Sequence, residues 1–257
     1  MPLRTAAPAL VGALALAAVA APGTAYAATQ PVKPQIIHAA VSSLNIGLTG
    51  KLTFSVIISA KDAKGVKSIK ALPYPLASKA VPTQTDVAKE PGSSLPTLAR
   101  TATTLTVGAS DVINVAVDRF PDEIAGTYGV AILVTAKDGS TTFAAKGATY
   151  SWTRADVLSA KPVSGTVRKG ALLTVKGQLN RADWTKRVWA GNGGQLVQLQ
   201  QRNAKGVWVT KATAKTATNG SVSVSARDDA SGSWRLVYGG NTISGAAVSG
   251  TSSVVVK

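Results

Sequence analysis

Short runs in which apolar and polar residues alternate are the feature that most restricts how this chain can fold. In LTFSVIISA, the side chains of Leu52, Phe54, Val56 and Ile58 fall on one face of an extended strand. The run GTYGVAILVTA, later in the chain, repeats the pattern. Alternation at period two is typical of strands that bury one face, and long stretches of helical periodicity are missing. The sequence therefore predicts an all-β fold.

Turn signals separate further strand-like runs in both halves of the chain. Asp138-Gly139 is a hairpin signal, whereas five prolines between Ala71 and Leu98 indicate a loop or a broken edge strand. ARTATTLTV resumes strand character after the prolines. In the second half the strand candidates are ALLTVKGQL, GQLVQLQQRN, GVWVTKATAKT, GSVSVSARDD, GSWRLVYGG and TSSVVVK. Several short strands at this spacing predict β-sandwiches.

The run SGSWRLVYGGN could be either a ligand-contacting segment or a core strand. In an extended strand, Trp234, Leu236 and Tyr238 share one face, and Arg235 and Val237 share the other. An apolar face of this kind packs inward, where Trp and Tyr bury a large area. The alternation favours a core strand.

The first 27 residues have the order of a secretory signal peptide. Arg4 supplies a positive start, ALVGALALAAVAA is an apolar segment too short to span a bilayer, and Ala25-Tyr26-Ala27 is a small-x-small cleavage site. We therefore expect a secreted, extracellular protein that begins near Ala28. The sequence predicts no transmembrane anchor.

Charge and turn composition divide the expected mature chain into two domains, residues 28–154 and residues 155–257. The first carries 13 basic and 8 acidic side chains, and the second carries 14 basic and 4 acidic ones. The excess of +10 in the second domain favours polyanionic partners such as anionic wall polymers or acidic polysaccharides. With no cysteine in the chain, disulfides and thiolate metal sites are excluded, and each domain must be held by its core.

The segment NRADWTKRVWAGNGG is the candidate binding site. It shows no strand alternation and interleaves cations with aromatic rings: Arg181, Trp184, Lys186, Arg187 and Trp189. Exposed rings can stack on sugars or bases, and the cations suit acidic groups. The alternative is an ordinary loop whose tryptophans cap the sandwich.

Catalytic and metal-binding patterns are sparse. His38 is the single histidine, and the chain has no G-x-S-x-G nucleophile elbow. The adjacent pairs Asp122-Glu123 and Asp228-Asp229 lie in turn-like stretches, where solvated charge is the simpler interpretation. DRFPDE, which begins at Asp118, is the best source of oxygen ligands for calcium, but the sequence predicts no metal, no cofactor and no enzyme.

Both halves resemble known secreted modules. The first, with FSVIISAKDAKGVKSI and GTYGVAILVTAKDGS, resembles the immunoglobulin-like modules of bacterial surface and secreted proteins. The second, with GSWRLVYGGN and SSVVVK, is similar to C-terminal modules of secreted actinobacterial proteins that lack a known activity. The resemblance implies two immunoglobulin-like β-sandwich domains.

These observations lead to a functional expectation. We expect a non-catalytic binding or adhesion protein that associates electrostatically with an anionic cell-envelope polymer or matrix, and thus sits at the periphery of the cell wall. The first alternative is a carbohydrate-binding module that uses Trp184 and Trp189. The second is an enzyme with a carboxylate pair. A nucleic-acid partner is not expected, since no recognised nucleic-acid motif is present, and the oligomeric state is left open.

Overall fold

The structure, a computed structural model, describes residues Val32–Lys161 and Gly165–Lys257. The signal peptide expected over residues 1–27 lies outside the described residues. Almost all regular structure is β-strand, as the alternation predicts, with one short α-helix and two 3₁₀ turns in the described ranges. No helix in those ranges is long and apolar enough to cross a membrane.

Two sheets face each other in the first sandwich. Its strands are β1 (Gln35–Val41), β2 (Leu44–Ile46), β3 (Lys51–Lys61), β4 (Val66–Pro75), β5 (Thr97–Arg100), β6 (Thr104–Asn114), β7 (Gly126–Ala136) and β8 (Thr141–Arg154). One sheet has the order β1-β3-β6-β5, and the other has the order β2-β8-β7-β4. The chain crosses between the sheets after β1, and β2 then pairs in parallel with the last strand, β8.

Ten further strands form the second sandwich in the described part of the chain. They are β9 (Asp156–Ala160), β10 (Gly165–Val167), β11 (Ala171–Asp183), β12 (Val188–Gly191), β13 (Leu196–Arg202), β14 (Trp208–Lys215), β15 (Ser221–Asp228), β16 (Gly232–Tyr238), β17 (Ala247–Val248) and β18 (Ser252–Val256). Strand β11 lies between β9 and β15 and also pairs with β12. The facing sheet has the order β10-β18-β16-β13-β14, with β17 on β16.

Both sandwiches have immunoglobulin-like topology, which confirms the fold class expected from the sequence. In the first sandwich, neighbouring strands follow the order β1-β3-β6 on one sheet and β8-β7-β4 on the other; in the second sandwich they follow β9-β11-β15 and β18-β16-β13. These correspond to the orders A-B-E and G-F-C of the immunoglobulin fold. In each sandwich, the chain also switches sheets early, so that a short strand pairs in parallel with the final one: β2 with β8 and β10 with β18. The residues Val32–Lys257 pack as one compact unit.

Each sandwich has its own core between the sheets. The alternating face of β3 supplies Ile58 and Ala60, which are fully buried against β7 residues such as Ile132. In the second sandwich, Trp234, Leu236 and Tyr238 lie in the core opposite β11 and β15. Trp234 is only 1% exposed, so the interpretation of SGSWRLVYGGN as a core strand is confirmed.

The structure corrects the sequence predictions at two places. The proline-rich stretch contains the end of β4 and an α-helix, α1 (Gln84–Lys89), whose first turn is capped by Thr83. The segment NRADWTKRVWAGNGG, which shows no strand alternation, is a hairpin of β11 and β12 and not an ordinary loop. ARTATTLTV has the expected strand character and contains parts of two paired strands, β5 and β6.

Candidate functional site

The five residues expected to bind a ligand lie on the β11–β12 hairpin, and its tip is a tight turn. Strand β11 continues to Asp183, whose backbone carbonyl accepts a hydrogen bond from Arg187 N at 2.7 Å. The Asp183 carboxylate accepts another from Lys186 N at 2.7 Å. Arg187 adopts a φ of 60°, in the left-handed region where a non-glycine residue costs about 1 kcal/mol or more. We call residues 183–187 the junction turn.

Trp184 projects from the junction turn into the first sandwich. Its indole Nε1 donates to the carbonyl of Ile46 at 2.9 Å, and its backbone N donates to Asp122 Oδ1 at 2.7 Å. The ring packs in a cluster with Val115 and Phe120 and is only 5% exposed. Trp184 is therefore an interior residue that joins the sandwiches.

The arginines near Trp184 are also engaged. The Arg187 guanidinium of the second sandwich donates a hydrogen bond to the carbonyl of Ala116 of the first sandwich, at 2.9 Å. We call this region of contact between the two sandwiches the junction. Arg181 donates to Ser244 Oγ at 3.1 Å, and burial, reinforced by the nearby positive charge of Arg154, lowers its pKa below the ordinary arginine value. Arg154, at the end of β8, forms an ion pair with Asp122.

The five residues predicted to bind a ligand therefore do not form one exposed surface on the hairpin. Trp184 is buried and Arg181 and Arg187 are half-buried, each with hydrogen-bond partners inside the protein. Lys186 is exposed and forms an ion pair with Asp183 at 3.4 Å, and Trp189 is 42% exposed on β12. The expectation of two exposed tryptophans therefore holds for Trp189 and not for Trp184. Ligand binding by these residues stays a prediction.

A basic groove lies elsewhere on the second sandwich, beside the sheet of β9, β11 and β15. It has a volume of about 860 Å³, and three lysines line it: Lys161, Lys176 and Lys215. All three are exposed. None of the described residues that line it is acidic. We call this feature the lysine groove.

Strand alternation builds the wall of the lysine groove. On β15, Val222 and Val224 are buried, so Ser221 and Ser223 face outward. The register places Lys176 opposite Ser223 and Gln178 opposite both Ser159 and Ser221. An outward face of ammonium, hydroxyl and amide groups can donate several hydrogen bonds to one anionic chain. The groove is not recognisable in the sequence because its three lysines lie on separate segments of the chain.

A second polar surface covers the outer face of the opposite sheet. The Arg235 guanidinium lies over the Trp208 ring, 4.0 Å from its centroid, and donates to Gln200 Oε1 at 3.0 and 3.1 Å. Thr210 in turn donates to Gln198 at 3.0 Å. Because stacking and hydrogen bonding hold the guanidinium in place, this surface is ordered before any ligand arrives.

A buried acidic group lies at the first residue of β9, opposite Arg181 on β11. Asp156 accepts a hydrogen bond from Asn192 Nδ2 at 2.7 Å, and Asn192 is 2% exposed. Burial raises the pKa of Asp156 to about 6, although Asn192, Arg181, Ser244 and Arg154 all favour its ionised form. Desolvation therefore outweighs the favourable partners at this carboxyl.

The residues considered for metal binding or catalysis are dispersed. No group of three His, Asp or Glu side chains suited to a metal ion occurs within Val32–Lys161 and Gly165–Lys257. In the segment DRFPDE, Asp118 lines an aromatic pocket of the first sandwich, whereas Asp122 holds Arg154 at the junction. His38 lies exposed on the edge strand β1.

Fold and site together define the class: an all-β protein of two immunoglobulin-like sandwiches with a basic groove on the second. No protein-family model matches the chain, and no curated protein matches it. Among solved structures it is similar to the D00–D0 domain of intimin, with 11% identity, a TM-score of 0.29, and coverage of 87% of this chain and 98% of that one. A structure of a 1.5-MDa bacterial ice-binding adhesin gives 12% identity, a TM-score of 0.27, and coverage of 89% and 66%.

The four N-terminal immunoglobulin domains of Dscam1 isoform 9.44 give a similar result, with 12% identity, a TM-score of 0.25, and coverage of 88% of this chain and 46% of that one. Likenesses at this level do not assign the chain to a family. The immunoglobulin-like description rests on the chain's own strand order.

Proposed function

We propose that this chain is a secreted, non-catalytic binding protein that holds an anionic polymer of the cell envelope in the lysine groove. The observation that carries the proposal is the convergence of Lys161, Lys176 and Lys215 on one open groove with no acidic residue among its described lining. The lysines come from β9, β11 and β14 or the residues directly after them, so three elements of the sandwich hold them together.

The chemistry of the groove favours phosphate or carboxylate groups repeated along a chain. Lysine ammonium groups attract anions as point charges, and the neighbouring serine hydroxyls add hydrogen bonds. Each exposed contact contributes about 0–1 kcal/mol, so a single anion would bind weakly. A polymer that engages several lysines at once gains affinity through multivalency.

The test replaces the three groove lysines by glutamine in the chain from residue 28 to residue 257. Binding to immobilised poly(glycerol phosphate) and to polygalacturonate is measured by biolayer interferometry across a range of salt concentrations. We expect the unmodified protein to lose affinity steeply with salt, because the Debye length falls from about 30 Å at 0.01 M to about 8 Å at 0.15 M. The triple variant should bind about tenfold more weakly or worse at low salt.

A matched control removes the same charge from elsewhere on the same sandwich. Lys169, Lys205 and Lys257 are exposed and lie outside the groove lining, and their replacement by glutamine should leave most of the affinity in place. Equal losses in both triple variants would mean that binding follows net charge alone, and the groove would not be the site.

The alternative, a carbohydrate-binding module, has two observations in its favour. Trp189 is exposed, and Trp208 and Arg235 form an ordered surface with Gln198 and Gln200 on a sheet face. Binding of a neutral polysaccharide that does not change with salt, and that is lost in Trp189→Ala or Trp208→Ala, would favour this alternative over the proposal.

A further inference from the structure

An aromatic pocket lies in the first sandwich, away from the lysine groove. It has a volume of about 440 Å³ and is lined by Phe54, Phe120 and Trp152, with Ile113 among its remaining lining residues. The Trp152 ring meets Phe54 edge-on at 89°, with centroids 5.5 Å apart, and meets Phe120 at 79° and 6.0 Å. Near-perpendicular rings form a corner whose walls have different orientations, so a bound group can touch more than one π-face.

Charged side chains complete the lining of the pocket. Asp111 and Asp118 are both exposed, as is Arg119. The carboxylates are held by backbone donors: Asp118 Oδ2 accepts from Asn114 N at 2.8 Å, and Asp111 Oδ1 accepts from Val112 N at 2.8 Å. The ion pairs found in the described ranges do not include either carboxylate or Arg119. Two carboxylates and one guanidinium give the lining a net charge of −1.

We propose that this pocket binds an organic cation of the quaternary or methylated ammonium type. Aromatic rings attract such cations through their quadrupoles, and the methyl groups are apolar enough to enter a pocket lined by phenylalanine and tryptophan. The two carboxylates supply the opposite charge at the rim. The net negative lining contrasts with the net charge of +16 of the whole chain, so this pocket attracts a cation that the chain as a whole does not favour.

The chemistry also explains why the site differs from an apolar pocket or from a metal site. An apolar ligand would gain nothing from Asp111 and Asp118. A hard metal ion needs about six oxygen ligands at short range, and three of the lining side chains are aromatic rings. A methylated ammonium ion, whose charge is spread over its methyl groups, can contact both the aromatic rings and the carboxylates of the lining.

The experiment is an NMR titration of the chain from residue 28 to residue 257 with choline chloride at constant ionic strength. The readout is the indole N–H resonance of Trp152, assigned by its loss in Trp152→Phe. We expect a saturable shift with a dissociation constant on the order of 1 mM, the range that two ring contacts with carboxylate assistance supply. The neutral isostere 3,3-dimethylbutan-1-ol should bind about fivefold more weakly or worse.

Charge variants give effects of opposite sign, which a change in folding would not produce. Asp111→Asn and Asp118→Asn should each weaken choline binding about two- to fivefold, whereas Arg119→Gln should tighten it by a similar factor because a like charge is removed. Phosphatidylcholine vesicles are added in a second arm. If the vesicles displace choline, the cation that the pocket binds is a lipid headgroup. If choline saturates the pocket and the vesicles do not displace it, the cation is a free small molecule.

Three outcomes would overturn the inference. The first is no saturable shift with choline, and the second is equal affinity for the neutral alcohol, which would make the pocket merely apolar. The third is weakening in all three charge variants, since that pattern follows from a disturbed fold. None of these outcomes bears on the lysine groove, which lies on the other sandwich.

Discussion

At the residue scale, Asp156 links stability to pH. Its pKa of about 6 lies above the value of about 3.9 for aspartate in an unfolded chain, because burial disfavours the charged form. The folded protein therefore binds this proton more tightly than the unfolded chain does. The resulting stabilisation is fully present below about pH 4 and is lost as the pH rises through about 6.

We expect Asp156→Asn to remove the part of the pH-dependent loss of stability that comes from Asp156, since an amide does not ionise. The amide carbonyl can still accept the hydrogen bond from Asn192. Urea unfolding at pH 4 and at pH 7 gives the free energy of unfolding of both proteins. The variant's advantage over the unmodified protein should grow by up to about 3 kcal/mol between the two pH values. Other shifted carboxyls are common to both proteins and cancel in the difference.

Residues differ in how far the sequence could predict them. Trp234 could be placed in the core because its neighbours at two-residue spacing, Leu236 and Tyr238, are also large and apolar. Trp184 could not be placed, because its partner Ile46 lies 138 positions away in the sequence. The lysine groove depends on strand register in the same way: only pairing brings Lys176 beside Ser223. Sequence patterns over a few residues do not indicate contacts between residues that are far apart in the chain.

At the scale of elements, the junction turn is held by one side chain of the first sandwich. Asp122 accepts from Trp184 N and pairs with Arg154, whose side chain is 9% exposed. Asp122→Ala would leave a largely buried guanidinium without its counter-ion. We expect the free energy of unfolding to fall by about 2–3 kcal/mol, less than for a fully buried pair because Asp122 itself is 23% exposed.

Neighbouring variants separate the two contacts of Asp122. Asp122→Asn keeps an acceptor for Trp184 N and loses the ion pair, so its stability should lie between those of the unmodified protein and Asp122→Ala. Glu123→Ala changes the adjacent, exposed carboxylate and should cost little. Equal stability of Asp122→Ala and Glu123→Ala would show that the junction turn does not depend on Asp122.

Elements with a buried alternating face were the predictable ones. Strands β3, β15 and β16 were recognised because each buries alternate residues against a core. Strand β7 was also recognised, but it is buried on both faces, because Ala131 and Leu133 pack against Val87 of helix α1. Strand β12 has no buried residue, so its sequence carries no alternation, and β10 has only three residues. Helix α1 has six residues and buries only Val87, too little for a helical period to show.

At the scale of the whole molecule, the junction couples the two sandwiches. A cluster of buried residues combines Ile46, Ile113 and Val115 of the first sandwich with Ala182 and Trp184 of the second. The backbone adds to this contact: Ala182 N donates to the carbonyl of Ala155, and Gly245 N donates to the carbonyl of Arg154. The strand sets nevertheless divide cleanly, since β8 ends at Arg154 and β9 begins at Asp156.

Fragments 28–154 and 155–257 test how far each sandwich can stand alone. Each has its own core between two sheets, so we expect each to melt in one cooperative transition. Each should also be less stable than the same sandwich in the whole chain, because separation exposes Ile46 on one fragment and Trp184 on the other. Burial of a side chain of this size contributes about 1.5–3 kcal/mol, so calorimetry should show lower melting temperatures for both fragments.

A single substitution distinguishes coupling from ordinary truncation damage. Trp184→Ala in the whole chain removes the shared contact without cutting the backbone, and it should lower the stability of the chain towards that of the separate fragments. In fragment 155–257, where the ring has no partner, the same substitution should change stability little. If fragment 155–257 alone is unfolded, the second sandwich is not an independent domain. If Trp184→Ala lowers the free energy of unfolding as much in the fragment as in the whole chain, Trp184 does not stabilise the protein through its contact with the first sandwich.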